Sequence, residues 1–167
     1  DLLTTPDLDP ETRKEYASLI NSSGANLLDI INDILDISKI EAGQILLADN
    51  KFSVHRLVSE IHKEYSYRAA SKGIVFRLKL KTIDEKLILR SDESRIRQVL
   101  VNFVSNALKF TTSGYIEMGV DRVCNDILFA VKDTGIGIPK DYHDKIFDRF
   151  RQIEAAQTRK YGGNGLG

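Results

Sequence analysis

Five polar residues, Arg95, Gln98, Asn102, Asn106 and Lys109, recur three or four apart in a stretch that is otherwise largely apolar. On an α-helix turning about 100° per residue, they fall within an arc of roughly 80°. A face that is merely solvated is usually built of Glu and Lys, which favour helix, whereas Asn is a poorer helix former. Two Asn residues four apart, with a Lys one turn on, therefore cost local stability and present amides and a cation together. Amide oxygens can ligate a hard cation such as magnesium, and an ammonium suits a phosphate. The plainer alternative is that both amides hydrogen-bond to neighbouring loops. A second candidate is Asp133-Thr134-Gly135-Ile136-Gly137-Ile138-Pro139. Its glycines let backbone come close to a ligand, and its carboxylate can accept a hydrogen bond from one. Turns after strands are often Asp-Gly rich for reasons unrelated to binding. The segment is not a GxGxxG fingerprint, and no GxxxxGK[ST] phosphate loop occurs in the chain. A third candidate is the cluster Gly163-Asn164-Gly165-Leu166-Gly167, preceded by Arg159-Lys160. It can form a backbone nest for phosphate oxygens at a helix start, or simply a flexible loop.

The elements that must position these groups follow from pattern. Asp9 is suited to cap a helix with Pro10 in its first turn, running to about Ala42 and stopped by Gly43. Along it, Ile20, Gly24, Leu27, Ile31, Ile34 and Ser38 form a heptad seam, widened by Leu28, Ile30 and Leu35. So wide a stripe needs other helices against it, as in a four-helix bundle, unless it packs on the neighbouring domain. Leu2 and Leu3 read as the tail of an earlier helix. Residues 44–52 read as a connector. Ser53 caps a second helix whose face carries Val54, Leu57, Val58, Ile61 and Tyr65, and Lys72-Gly73 ends it. Phe76, Leu78 and Leu80 alternate with Arg77, Lys79 and Lys81 as a half-buried strand. A short strand is expected at Leu87–Leu89, and Ser91 or Asp92 caps a third helix running to about Phe110. Its apolar side is expected to hold Ile96, Val99, Leu100, Phe103, Val104 and Ala107. A strand with Ile116, Met118 and Val120 follows, then a buried strand over 127–131 leading into Asp133. A short helix over about 140–147 and a polar, flexible stretch over 154–164 complete the pass. The strands look antiparallel in type and no regular βαβ repeat appears, so the fold class is α+β.

Apolar residues make up 42% and charged residues 29%, with 24 acidic and 24 basic side chains. That neutrality argues against a nucleic-acid or membrane-surface binder, which would need a basic excess. Cys124 is the only cysteine, so no intrachain disulfide framework or cysteine zinc site can form, and a reducing compartment fits. No apolar run approaches the roughly 18 residues of a membrane span.

Taken in order, the segments resemble the sensor histidine kinases of two-component systems, within the wider gyrase, chaperone and kinase ATPase superfamily. The stretch from Asp92 to Thr111 is similar to the family's N box, Asp133–Pro139 to its G1 box, Ile146–Gln152 to its F box and Gly162–Gly167 to its G2 box. Ile34–Gly43 resembles the end of its dimerisation hairpin. The resemblance covers essentially the whole chain. It implies the remainder of a dimeric four-helix-bundle hairpin over 1–48 and an α/β-sandwich ATP-binding domain over 49–167, without its C-terminal elements. It further implies that Asn102 binds the magnesium bridging the ATP phosphates, and that Asn106 and Lys109 contact phosphates or ribose. Asp133 accepts the adenine amino group, with Gly135 and Gly137 bringing the backbone past the base. Phe147 and Phe150 anchor a lid over about 152–161, and Gly163, Gly165 and Gly167 line the triphosphate.

The activity implied is phosphorelay signalling. A histidine is phosphorylated from ATP, and the phosphoryl group passes to a response-regulator aspartate. The implied partners are ATP, a second copy through the hairpin, and a receiver domain, with no nucleic acid. The setting is cytoplasmic, with any membrane anchor outside these residues. The family's acceptor histidine sits in an H box on the first hairpin helix. His55, His62 and His143 are not in such a motif and are expected to be surface or packing residues, so no catalytic residue is assigned here. These 167 residues alone are expected not to autophosphorylate. The alternatives are a non-catalytic nucleotide-binding or dimerisation module, and another ATPase of the superfamily. The intact nucleotide-facing boxes weigh against the first. The heptad helix feeding the domain and the Phe147/Phe150 box weigh against the second.

Overall fold

The computed structural model describes residues 9–44, 46–81 and 84–146. The expectations for Leu2 and Leu3, Phe147, Phe150, the 152–161 lid and Gly163, Gly165 and Gly167 fall outside these residues. The described chain forms two units, one holding the first helix and one beginning at Leu46.

The first unit is α1, Pro10–Glu41. Asp9 caps it, accepting the amides of Glu11 and Thr12 at 3.0 Å, and Gly43 follows it at φ +63°. The heptad residues Ile20, Leu27, Ile31 and Ile34 and their neighbours Leu28 and Leu35 are all exposed, each by 44% or more.

The second unit runs β1 (Asn50–Ser53), α2 (Val54–Ala70), β2 (Ile74–Leu80), β3 (Ile88–Ser91), α3 (Glu93–Phe110), β4 (Gly114–Val123) and β5 (Asp126–Asp133). A single 3-10 turn follows at Lys140–Tyr142. It replaces the short helix expected over about 140–147, whose last residue lies outside the description. Strand β1 pairs antiparallel with β3, with Phe52 opposite Leu89, so the expected connector already contains a strand by Asn50. The main sheet has the order β2-β4-β5. The expectation of antiparallel-type strands fails at one ladder. β2 and β4 run parallel, Phe76 opposite Ile116 and Leu78 opposite Met118, because β3 and α3 intervene and carry the chain back to the same end. β4 and β5 form an antiparallel hairpin.

Helices α2 and α3 pack on the sheet. Val54, Leu57, Val58 and Ile61 of α2, Leu100 and Val104 of α3, and Ile116, Met118 and Val120 of β4 are essentially solvent-free. Each such side chain contributes about 1.5–3 kcal/mol over its exposed state. The strand expected to be buried over 127–131 is covered on one face only, its residues alternating between half-buried and exposed. Among the described residues its only ladder partner is β4. His62 is a packing histidine, one of the two roles expected for it. It is half-buried, its Nε2 3.2 Å from the Phe76 carbonyl and its ring 4.9 Å from that of Phe76.

Candidate functional site

Helix α3 begins at Asp92. One carboxylate oxygen accepts the Ser94 hydroxyl at 2.6 Å and the Arg95 amide at 3.1 Å. The other accepts the Ala48 amide at 3.0 Å. These bonds, the Ser94 hydroxyl first, hold the carboxyl down at about 2. On the α2 side, Arg56 forks onto Glu93 at 3.0 and 3.1 Å, and Arg97 pairs with Glu60. At the far end the Lys72 ammonium donates to the Leu108 carbonyl at 2.9 Å, one of the last-turn carbonyls that lack a helical partner. The helix is thus fixed at both ends and along one flank.

Its buried residues are Leu100, Val104, Ala107 and Leu108. Val99 and Phe103, expected in the core, are 51% and 48% exposed. The core side is therefore rotated toward Leu108, and the polar arc lies opposite it. Asn102 and Asn106 are exposed, and among the described residues neither amide has a hydrogen-bond partner. The plainer reading, in which both amides serve neighbouring loops, finds no support there. Within the same arc, Arg95 donates to the Gln98 side-chain oxygen at 2.8 Å. Lys109 is half-buried, its ammonium 5.2 Å from the Phe110 ring centroid, and burial lowers its pKa from the ordinary lysine value. A partly dehydrated ammonium gains more from an incoming anion than a fully solvated one.

The turn after β5 is built against the end of α3. Asp133 pairs with Ile116 and so continues the row Ile127, Phe129, Val131 on the helix-covered face of the sheet. One Asp133 oxygen accepts the Gly135 amide at 2.8 Å. The other has no partner among the described residues and is open to a ligand donor. Thr134 ties the turn to β4. Its amide donates to the Tyr115 carbonyl at 3.2 Å, and its hydroxyl accepts the Tyr115 amide at 3.0 Å. The Thr134 tie was not read from the sequence, where only its place after Asp133 hinted at it. Gly135 lies against α3 so closely that a Cβ there would meet the Phe110 carbonyl oxygen at 2.5 Å. The Ile136 amide donates to that oxygen at 3.4 Å. A Cβ at Gly137 would meet nothing within 4 Å among the described residues, but the residue sits at φ +68°. The structure therefore brings Asp133, Gly135 and Gly137 to the same end of the domain as Asn106 and Lys109, across one backbone contact. His143 contacts the Ile138 carbonyl at 3.0 Å, a local loop tie.

The amides and Lys109 fit a magnesium–triphosphate group. Among the described residues no cluster of three His, Cys, Asp or Glu could cage a metal by itself. Magnesium bound through one protein oxygen, with phosphates and water completing its shell, needs no such cage.

Residues 91–167 match the family described as histidine kinase-, DNA gyrase B- and HSP90-like ATPase. The chain is 40% identical over 158 residues to the circadian input-output histidine kinase CikA of Synechococcus elongatus, covering 94% of the chain and 21% of that protein. It is 36% identical over 162 residues to the signal transduction histidine-protein kinase BarA of Escherichia coli, covering 93% and 17%. Among solved structures, full-length ShkA in complex with AMPPNP superposes with a TM-score of 0.76 at 30% identity, over 99% of this chain and 34% of that one. The histidine kinase ThkA in complex with the response regulator TrrA gives 0.71 at 28%, over 90% and 44%. The chain spans about a fifth of the length of these curated relatives.

Proposed function

Since this chain belongs to the histidine kinase-type ATPases and is the ATP-binding catalytic part of such a kinase, we propose that α3 and the turn after β5 form its nucleotide site. Asn102 ligates magnesium, and Asn106 and Lys109 hold phosphate or ribose oxygens. The free oxygen of Asp133 accepts the adenine amino group, while Gly135 and Gly137 keep the backbone close to the base. Phe147, Phe150, Gly163, Gly165 and Gly167 complete the lid and triphosphate cradle. The observation that carries this reading is the pair of exposed amides, without a partner among the described residues, beside a half-buried ammonium and joined to the Asp133 turn through the Gly135–Phe110 contact. Magnesium, when bound, neutralises phosphate charge. The chain's own residues orient the nucleotide so that its terminal phosphoryl group is presented to an acceptor.

The whole protein, on this proposal, is a cytoplasmic histidine kinase that phosphorylates a histidine outside this chain and passes the group to a receiver aspartate. The AMPPNP complex of ShkA and the regulator complex of ThkA support that course by similarity. Residues 1–48 belong to a dimerisation hairpin and 49–167 to the ATP domain. The uncovered heptad stripe of α1 supports pairing with a second copy. A protein extended to include the first hairpin helix should take up γ-phosphate from ATP on an acid-labile, alkali-stable bond. No uptake with magnesium present would defeat the kinase reading. Asn102→Asp and Asp133→Asn should each abolish nucleotide binding measured by calorimetry, and unchanged affinity in both would defeat the site assignment.

A further inference from the structure

Beside the α3 polar arc, on its α2 side, lies a cleft of about 200 Å³ between the C-terminal turns of α2 and α3. Tyr65 and Leu108 floor it, and Arg68, Lys72, Ser105 and Lys109 rim it. Two helices end here, and helix ends attract cations: each carries roughly half a negative charge. Arg68 in the last turn of α2 and Lys109 in the last turn of α3 already answer that need. Lys72 is a third cation, and one of its three N–H groups serves the Leu108 carbonyl. The nearby Glu64 contributes one negative charge, felt by Tyr65. Three full positive charges against about one from the helix ends and one from Glu64 leave an excess of about +1 around the cleft. Arg68 lies 5.3 Å from the Tyr65 ring centroid and hydrogen-bonds with the Tyr65 side chain, and a guanidinium carries five N–H donors, more than that one contact uses.

We propose that this cleft is an anion subsite of the phosphate class, formed by Arg68, Lys72 and Lys109. It shares Lys109 with the nucleotide face and to that extent adjoins the reading above, but Arg68 and Lys72 belong to it alone. Its occupant is a tetrahedral phosphoryl oxyanion, either free phosphate or a phosphoryl group of the nucleotide.

The test titrates inorganic phosphate into the full chain at constant ionic strength, without magnesium, following lysine and arginine side-chain resonances by NMR. Saturable shifts at Lys72, Lys109 and Arg68 are expected. Arg68→Gln, at an exposed position, should weaken phosphate binding about tenfold, as expected for one lost charge-assisted hydrogen bond. Asp133→Asn should leave it unchanged while removing nucleotide. Shifts that do not saturate, shifts reproduced by chloride at the same ionic strength, or wild-type affinity in Arg68→Gln would each overturn the subsite. Adding AMPPNP then distinguishes the source. Displacement of phosphate identifies the nucleotide's own phosphoryl group, simultaneous binding identifies free phosphate, and either upholds the subsite. If nucleotide affinity survives both Asn102→Asp and Asp133→Asn while phosphate still depends on Arg68, the nucleotide reading fails and the subsite stands.

Discussion

Gly135→Ala tests how the turn after β5 is held against α3. The added methyl would lie 2.5 Å from the Phe110 carbonyl oxygen, and 2.9 Å from both the Phe110 carbonyl carbon and an Asp133 carboxylate oxygen. Carbon–oxygen contacts settle near 3.3 Å, so the turn must retreat by about 0.8 Å. The two Phe110 atoms are backbone, which cannot rotate aside as the Asp133 side chain can. The Ile136 bond to Phe110, already 3.4 Å long, then breaks. Overpacking costs about 1–3 kcal/mol and the lost bond about 1, giving a loss of about 2–4 kcal/mol. Gly137→Ala is the matched control. Its methyl meets nothing within 4 Å, and only φ +68° opposes it. The left-handed cost of about 1–2 kcal/mol, partly offset by the lower entropy of the unfolded alanine chain, leaves about 1 kcal/mol. Urea unfolding followed by circular dichroism measures both. Gly135→Ala should unfold at a clearly lower midpoint than Gly137→Ala. Equal or reversed midpoints would show that the close approach to α3 is not what the glycine serves.

Asp92 gives a pH signature. Its folded value of about 2 lies below the ordinary 3.8, so the unfolded chain takes the proton first as pH falls. Its contribution is complete above about pH 4 and is lost as pH falls toward 2, so Asp92→Asn should flatten that part of the stability–pH curve. An unchanged acid slope would contradict the bond network. Cys124 sits at φ +56° in the loop between β4 and β5. Asn tolerates that region better, and Cys124→Asn should raise stability by about 0.5–1 kcal/mol in the same urea assay.

Local chemistry was legible in the sequence wherever a residue's partner lies within one turn. Asp9 and Ser53 read as caps and are caps, and of Ser91 or Asp92 the cap is Asp92, because a short polar side chain before an apolar period can satisfy only the first few amides. The polar arc of α3 and the Asp133 turn were likewise legible as residue types at fixed spacing, and the resemblance gave them a nucleotide to face. What the sequence alone could not decide was everything set by distant backbone. The parallel ladder of β2 with β4 depends on where the chain returns after α3. The early strand at Asn50 depends on β3 arriving beside it. The core side of α3, rotated away from Val99 and Phe103, depends on where α2 and the sheet lie. Asp92 holds Ala48, 44 residues earlier, with the oxygen its own cap leaves over. Gly135 is required by a carbonyl of α3, and Lys72 is anchored on another. Periodicity specifies which face an element can bury, but only tertiary packing specifies what meets that face, because those contacts join residues whose separation along the chain carries no pattern.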